Sequence, residues 1–101
     1  MSFLKLTNNY VNGNIKSEAY YLNNKVHNIN GPAFISYFEN GNINCKEYFL
    51  NNELHNEQGP SVIVYNLNGS IEYKAYYLNG EKINVNSDNE FKHYIKFLIL
   101  K

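Results

Sequence analysis

An Asn-Gly step recurs at Asn12-Gly13, Asn40-Gly41 and Asn68-Gly69, and both gaps are 28 residues (40 − 12 and 68 − 40). The register holds across the whole unit. Ile15, Ile43 and Ile71 coincide, as do Tyr20, Tyr48 and Tyr76; Tyr21, Phe49 and Tyr77; Leu22, Leu50 and Leu78; and Asn23, Asn51 and Asn79. His27 coincides with His55, and Gly31-Pro32 with Gly59-Pro60. Self-similarity at one fixed period in this range marks a repeat architecture, in which each unit buries its apolar side against its neighbours.

Each Asn-Gly lies between runs rich in Tyr, Phe, Ile and Val, which predicts a two-residue hairpin turn of type I′. Residues whose numbers sum to 81 should then face each other around Asn40-Gly41. Alternation puts Phe38 with Ile43, Ser36 with Cys45, and Phe34 with Glu47 on a first face. It puts Tyr37 with Asn44, Ile35 with Lys46, and Ala33 with Tyr48 on a second. In the other copies the first face takes Leu4, Leu6, Tyr10, Ile15, Ala19 and Tyr21, then Val62, Val64, Ile71, Tyr73, Ala75 and Tyr77. The second carries Lys5, Lys16, Glu18, Lys46, Glu72 and Lys74 among Tyr20, Tyr48 and Tyr76. The first face is therefore the expected core. Six main strands are expected, near 3–10, 15–22, 33–38, 43–50, 61–66 and 71–78, with short strand pieces at Val26-His27 and Leu54-His55.

The third copy keeps Asn79-Gly80 but has neither the His nor the Gly-Pro. After it, Ser87 and Glu90 have capping-box spacing. Phe91, Tyr94, Ile95 and Leu98 follow at one-face helical spacing, predicting a helix from Asp88 to Leu100. Such a helix would cross the apolar face or cap the last repeat, as terminal elements of repeat proteins do. The fold class is mainly β: one antiparallel meander of about six strands over residues 1–86, and a C-terminal capping helix over 87–101, in one domain.

The unit NG-N/S-I-x-x-x-x-Y-Y/F-L-N-N/G, spread over residues 10–84, resembles the MORN-repeat variant family. The inserted H-x-x-x-G-P at His27–Pro32 and His55–Pro60 is similar to the longer variety found in giant DNA viruses and some bacteria. The resemblance implies a β-meander used as a protein–protein interaction scaffold. Some bacterial relatives are described as antitoxins, and some eukaryotic ones associate with membranes or phosphoinositides. The chain differs from the standard unit in lacking Trp and the denser glycines.

Composition narrows the functions. Nine Lys and no Arg balance nine acidic residues, so no clustered positive charge is available to track phosphates. The same balance argues against nucleic acid and against an anionic membrane surface. Cys45 is the single cysteine, so no internal disulfide can form. The N-terminal MSFLKLTNNY is no signal peptide and no run reaches membrane-span length, so the expected location is cytoplasmic, or host-cell cytoplasm for a viral chain.

Candidate chemistry is sparse. His27 and His55 read as a metal pair at first sight. Equivalent positions in adjacent two-strand repeats lie about 9–10 Å apart, whereas zinc ligands sit about 2 Å from the ion. Hydrogen bonding to loop backbone is the better reading. Cys45 reads as an inert core thiol. Glu47 stands where the other copies have Ala19 and Ala75, so either its site is open to water or a Lys or a Tyr hydroxyl reaches it. The Tyr20, Tyr48 and Tyr76 ladder packs on itself or offers a stacking platform. No catalytic, cofactor-binding or metal residue is assigned. The candidate interaction surface is Tyr20, Tyr48, Tyr76, Glu47, His27 and His55. The expectation is a non-enzymatic scaffold that binds another protein, with self-association through a sheet edge or the aromatic band. The alternatives are an antitoxin-like inhibitor, a lipid-associated module, and an enzyme or ligand-binding protein built around a concave pocket.

Overall fold

The computed structural model describes residues 2–99. The strands are β1 (Phe3–Asn9), β2 (Ile15–Leu22), β3 (Lys25–Val26), β4 (Phe34–Tyr37), β5 (Ile43–Glu47), β6 (Phe49–Leu50), β7 (Glu53–Leu54), β8 (Val62–Tyr65), β9 (Ile71–Leu78) and β10 (Glu81–Ile83), followed by the helix α1 (Asp88–Ile99). All pairings are antiparallel. The sheet runs β1-β2-β4-β5-β8-β9-β10 with β3 also on β2, while β6 and β7 form a separate ribbon. The described residues thus hold ten strands where about six long ones were expected. Three of the four extra ones, β3, β7 and β10, are short return strands after the aromatic-Leu runs, and the fourth, β6, is the end of the expected strand 43–50, separated from β5 at Tyr48. The molecule is a slab of 50 × 38 × 17 Å.

Two kinds of turn alternate along the chain, and the type I′ turn expected at the Asn-Gly steps 12-13, 40-41 and 68-69 is not the kind found there. In the Asn40-Gly41 turn only the glycine has positive φ, at 94°. The Gly41 N–H donates to the Phe38 carbonyl (2.9 Å) and the Phe38 N–H to the Asn42 carbonyl (2.7 Å), so the loop holds three residues and ends in a glycine bulge. The bulge shifts the register by one residue. Ile43 faces Tyr37 and not Phe38, whereas Ser36–Cys45, Ile35–Lys46 and Phe34–Glu47 pair as the sum of 81 requires. The Asn40 carboxamide accounts for the shift, because its Oδ1 accepts the Asn42 N–H at 2.9 Å and fixes a local Asx turn. The true two-residue turns lie elsewhere. Asn23-Asn24, Asn51-Asn52 and Asn79-Gly80 have positive φ at both central positions, as type I′ requires. They close Leu22 on Lys25, Leu50 on Glu53, and Leu78 on Glu81.

The helix begins where the capping signal lies. Ser87 Oγ accepts the Glu90 N–H at 3.1 Å, and Glu90 Oε2 accepts the Asn86 N–H at 2.7 Å. The box therefore closes one residue earlier than the standard arrangement. The helix runs to Ile99, and the expected last residue, Leu100, lies outside the described residues. Phe91 is fully buried, with its ring 4.9 Å from that of Tyr76. Asp88 accepts from Lys74 Nζ (3.1 Å) and from the Tyr76 hydroxyl. Lys74 and Tyr76 belong to the second face, so α1 caps the last repeat from that side and does not cross the apolar face expected to be the core. Only residues 84–87 link β10 to α1, and that short tether holds the helix beside the last hairpin. The buried apolar side chains are few: Tyr76 and Phe91 at the helix contact, with Ala33 and Ala75 in the sheet.

Candidate functional site

Register defines the first face as rows across the six long strands. One row reads Leu6, Ala19, Phe34, Glu47, Val62 and Ala75. The next reads Asn8, Ser17, Ser36, Cys45, Val64 and Tyr73. At the two ends of the sheet Leu4, Leu6, Ile71 and Tyr73 stay about half exposed (51%, 48%, 51% and 47%). Phe34, Val62 and Val64 between them are partly buried. Asn8, Ser17, Ser36 and Glu47 interrupt the apolar side chains of these rows.

Glu47 sits near the middle of that surface. Its side chain has no ion pair or hydrogen bond among the described residues, and burial raises its carboxyl above the ordinary carboxylate range. Burial, then the charge of Glu47, pushes the Cys45 thiol up to about 11. At neutral pH Cys45 is therefore a protonated, weakly reactive thiol.

The second face is polar and internally paired. Lys5 Nζ lies 2.8 Å from Glu18 Oε2, and the Tyr37 hydroxyl donates to Glu18 Oε1 at 2.6 Å. Those two donors, Lys5 first, hold the Glu18 carboxyl below its usual range; the same bond raises the Tyr37 phenol to about 12. The Tyr76 phenol is also raised to about 12, by burial and then by Asp88. Tyr76 in turn is the largest cause of the lowered Asp88 carboxyl. Lys5 stands over the Tyr20 ring at 5.5 Å. Open grooves run between successive loops on this side. One of about 510 Å³ has Ile29, Tyr48 and Leu50 in its wall, and one of about 660 Å³ lies between His55, Leu78 and α1.

The two histidines are staples between repeats. His27 Nδ1 accepts the Asn51 N–H at 3.0 Å, and His55 Nδ1 accepts the Asn79 N–H at 2.9 Å. Each ring thus satisfies a donor in the I′ turn of the following copy, one repeat further along than its own loop. Val26 reinforces the first junction: its carbonyl accepts the Asn52 N–H (2.9 Å), and its N–H donates to Asn52 Oδ1 (2.7 Å). The third copy has no successor and carries Ile83 at the equivalent position. Loss of the His from the copy without a successor was the sequence signal for this role. Replacing His27 or His55 by Ala should each cost about 1 kcal/mol, the net worth of one hydrogen bond. Thermal unfolding should register roughly 5 °C per variant. His93→Ala on exposed α1 is the control and should leave the midpoint in place.

The six residues proposed from sequence do not form one surface. Glu47 faces one way and Tyr20, Tyr48 and Tyr76 the other. Tyr76 is closed off by Phe91 at 4% exposure, and the histidine Nδ1 atoms are engaged. Among the described residues no group of three His, Cys, Asp or Glu is arranged to hold a metal ion, and no helix is long and apolar enough to cross a membrane. Compared with known proteins, the chain matches no family model, no curated protein and no solved structure.

Proposed function

We propose that the chain is a non-enzymatic, MORN-like interaction module that works inside the cell and binds protein through the first face of its sheet. The supporting observation is that α1 lies on the other side of the sheet, against Lys74 and Tyr76, and leaves this face uncovered by a helix. Leu4, Leu6 and Tyr73 are about half exposed on it, and Phe34, Val62 and Val64 between them remain partly exposed. The second face is the supporting one, since its polar groups already pair with each other.

The experiment is affinity isolation of the tagged full chain from its own cell, beside Val64→Lys. The Lys stem can lie along the sheet with its ammonium in water, so the fold survives the change. Wild type should retain a protein that reassembles with it from purified components, and the variant, with unchanged circular dichroism, should lose it. A Val64→Lys chain that holds the same protein equally well contradicts the reading.

A further inference from the structure

The two halves of the open face complement each other in size. On the β2–β4 side the inner residues are Ser17, Ala19, Phe34 and Ser36; on the β5–β8 side they are Cys45, Glu47, Val62 and Val64. A two-fold axis along the strands, between β4 and β5, brings one half of a face onto the other half of its mate. Ala19 then meets Val62 of the second copy, Ser17 meets Val64, Ser36 meets Cys45 and Phe34 meets Glu47. The outer two of these pairs set a small residue opposite a valine, and the inner two, next to the axis, are matched in size, so the surface fits itself under the two-fold operation. We propose that this face is where a second copy of the chain packs, in a two-fold, sheet-on-sheet dimer about that axis.

This deepens the interaction reading above and rests on it. The six strands have 7, 8, 4, 5, 4 and 8 residues and lie about 4.8 Å apart, which gives roughly 600 Å² in projection, the scale of a modest interface. A pleated surface exposes more than its projection, and a standard interface takes about 800 Å² from each partner. Aligned packing at about 10 Å is the usual way two such sheets meet.

Glu47 makes the contact conditional. In the dimer it lies close to the axis against Phe34 of the second copy, with its own mate nearby and no cation to meet it. Its row neighbours, Phe34 from β4 and Val62 from β8, carry no charge, and Cys45 on its own strand is a neutral thiol. Lys46 and Tyr48 point to the other face. Closing the contact therefore requires neutral Glu47, and each protomer takes up a proton if its carboxylate was ionised. Association should strengthen as pH falls, by up to about a hundredfold per pH unit for two protons.

Sedimentation velocity on the full chain at pH 7.5 and pH 5.0 tests this, with Glu47→Leu and Val64→Lys alongside. Wild type should dimerise at pH 5.0 and weaken at least tenfold by pH 7.5. Glu47→Leu should dimerise equally at both. Val64→Lys should stay monomeric at both, which separates the contact from loss of solubility near the isoelectric point of 6.8. Wild type and Glu47→Leu both monomeric at every pH and concentration overturn the dimer. An apolar dye then decides the wider reading. Dye bound by wild type and lost in Val64→Lys leaves the face open for a foreign partner with a cation for Glu47; no dye binding by either removes the interaction face altogether.

Discussion

Phe91→Ala should lower the melting temperature by roughly 15 °C or more and release α1 from the sheet. Phe91 is the largest fully buried side chain among the described residues, and its ring lies against Tyr76. Removing a buried Phe forfeits its transfer energy and leaves a cavity, together about 3–5 kcal/mol. That is a large share of a small domain's total of about 5–15 kcal/mol. For about 100 residues each kcal/mol moves the midpoint by about 4–8 °C. The loss should fall unevenly. A 12-residue helix is marginal on its own in water, so α1 should fray once its anchor is gone. The strands keep their backbone ladders and the histidine staples, none of which involve Phe91. Circular dichroism should lose its helical component well below the temperature at which the β signal collapses. Unchanged helicity with a midpoint shift of only a few degrees would show that Asp88, Lys74 and the Tyr76 hydroxyl hold the helix without the ring.

The sequence was readable where the repeat spoke and unreadable where one-off features decided. The period placed the three Asn-Gly hairpins, the alternation sorted side chains to the correct faces within β4 and β5, and the capping residues set the start of α1. Turn type was misjudged because Asn-Gly is compatible with both a two-residue I′ loop and a three-residue loop ending in a glycine bulge. The Asn-Asn pairs, with two residues at positive φ, were less conspicuous. Which face α1 covers was not legible, since both faces carry aromatics. The four-residue tether and the Asp88 acceptor settled it, through contacts with Lys74 and Tyr76 that have no counterpart in the first two copies. The same choice left Glu47 at the middle of an open field. In sequence it had been only a carboxylate at a position where the other copies place Ala19 and Ala75.

Ser61→Ala should cost about 1–3 kcal/mol, the penalty for stranding a buried polar group. Ser61 has 0% exposure and stands at the position of Ala33 one repeat earlier. The backbone bonds at the two sites match. The Ala33 N–H donates to Glu47 and its carbonyl accepts from Tyr20; the Ser61 N–H donates to Ala75 and its carbonyl accepts from Tyr48. Ala33 thus shows that alanine fits the space, and the hydroxyl is the whole difference. Ser61 Oγ accepts the Tyr77 N–H at 3.1 Å and donates to the Tyr77 carbonyl at 3.0 Å. In Ser61→Ala that carbonyl keeps the Asn56 N–H at 3.2 Å, whereas the Tyr77 N–H, directed away from β10, loses its acceptor. The reciprocal change, Ala33→Ser, sets a hydroxyl beside Phe49, whose carbonyl already takes the Asn28 N–H at 3.1 Å. Supplying an acceptor for the Phe49 N–H should raise stability by about 1 kcal/mol. Denaturant melts of the two variants should therefore move in opposite directions at unchanged m-value. A Ser61→Ala midpoint equal to wild type would mean that the Tyr77 N–H finds water, and that the sheet is more open at this row than the burial of Ser61 implies.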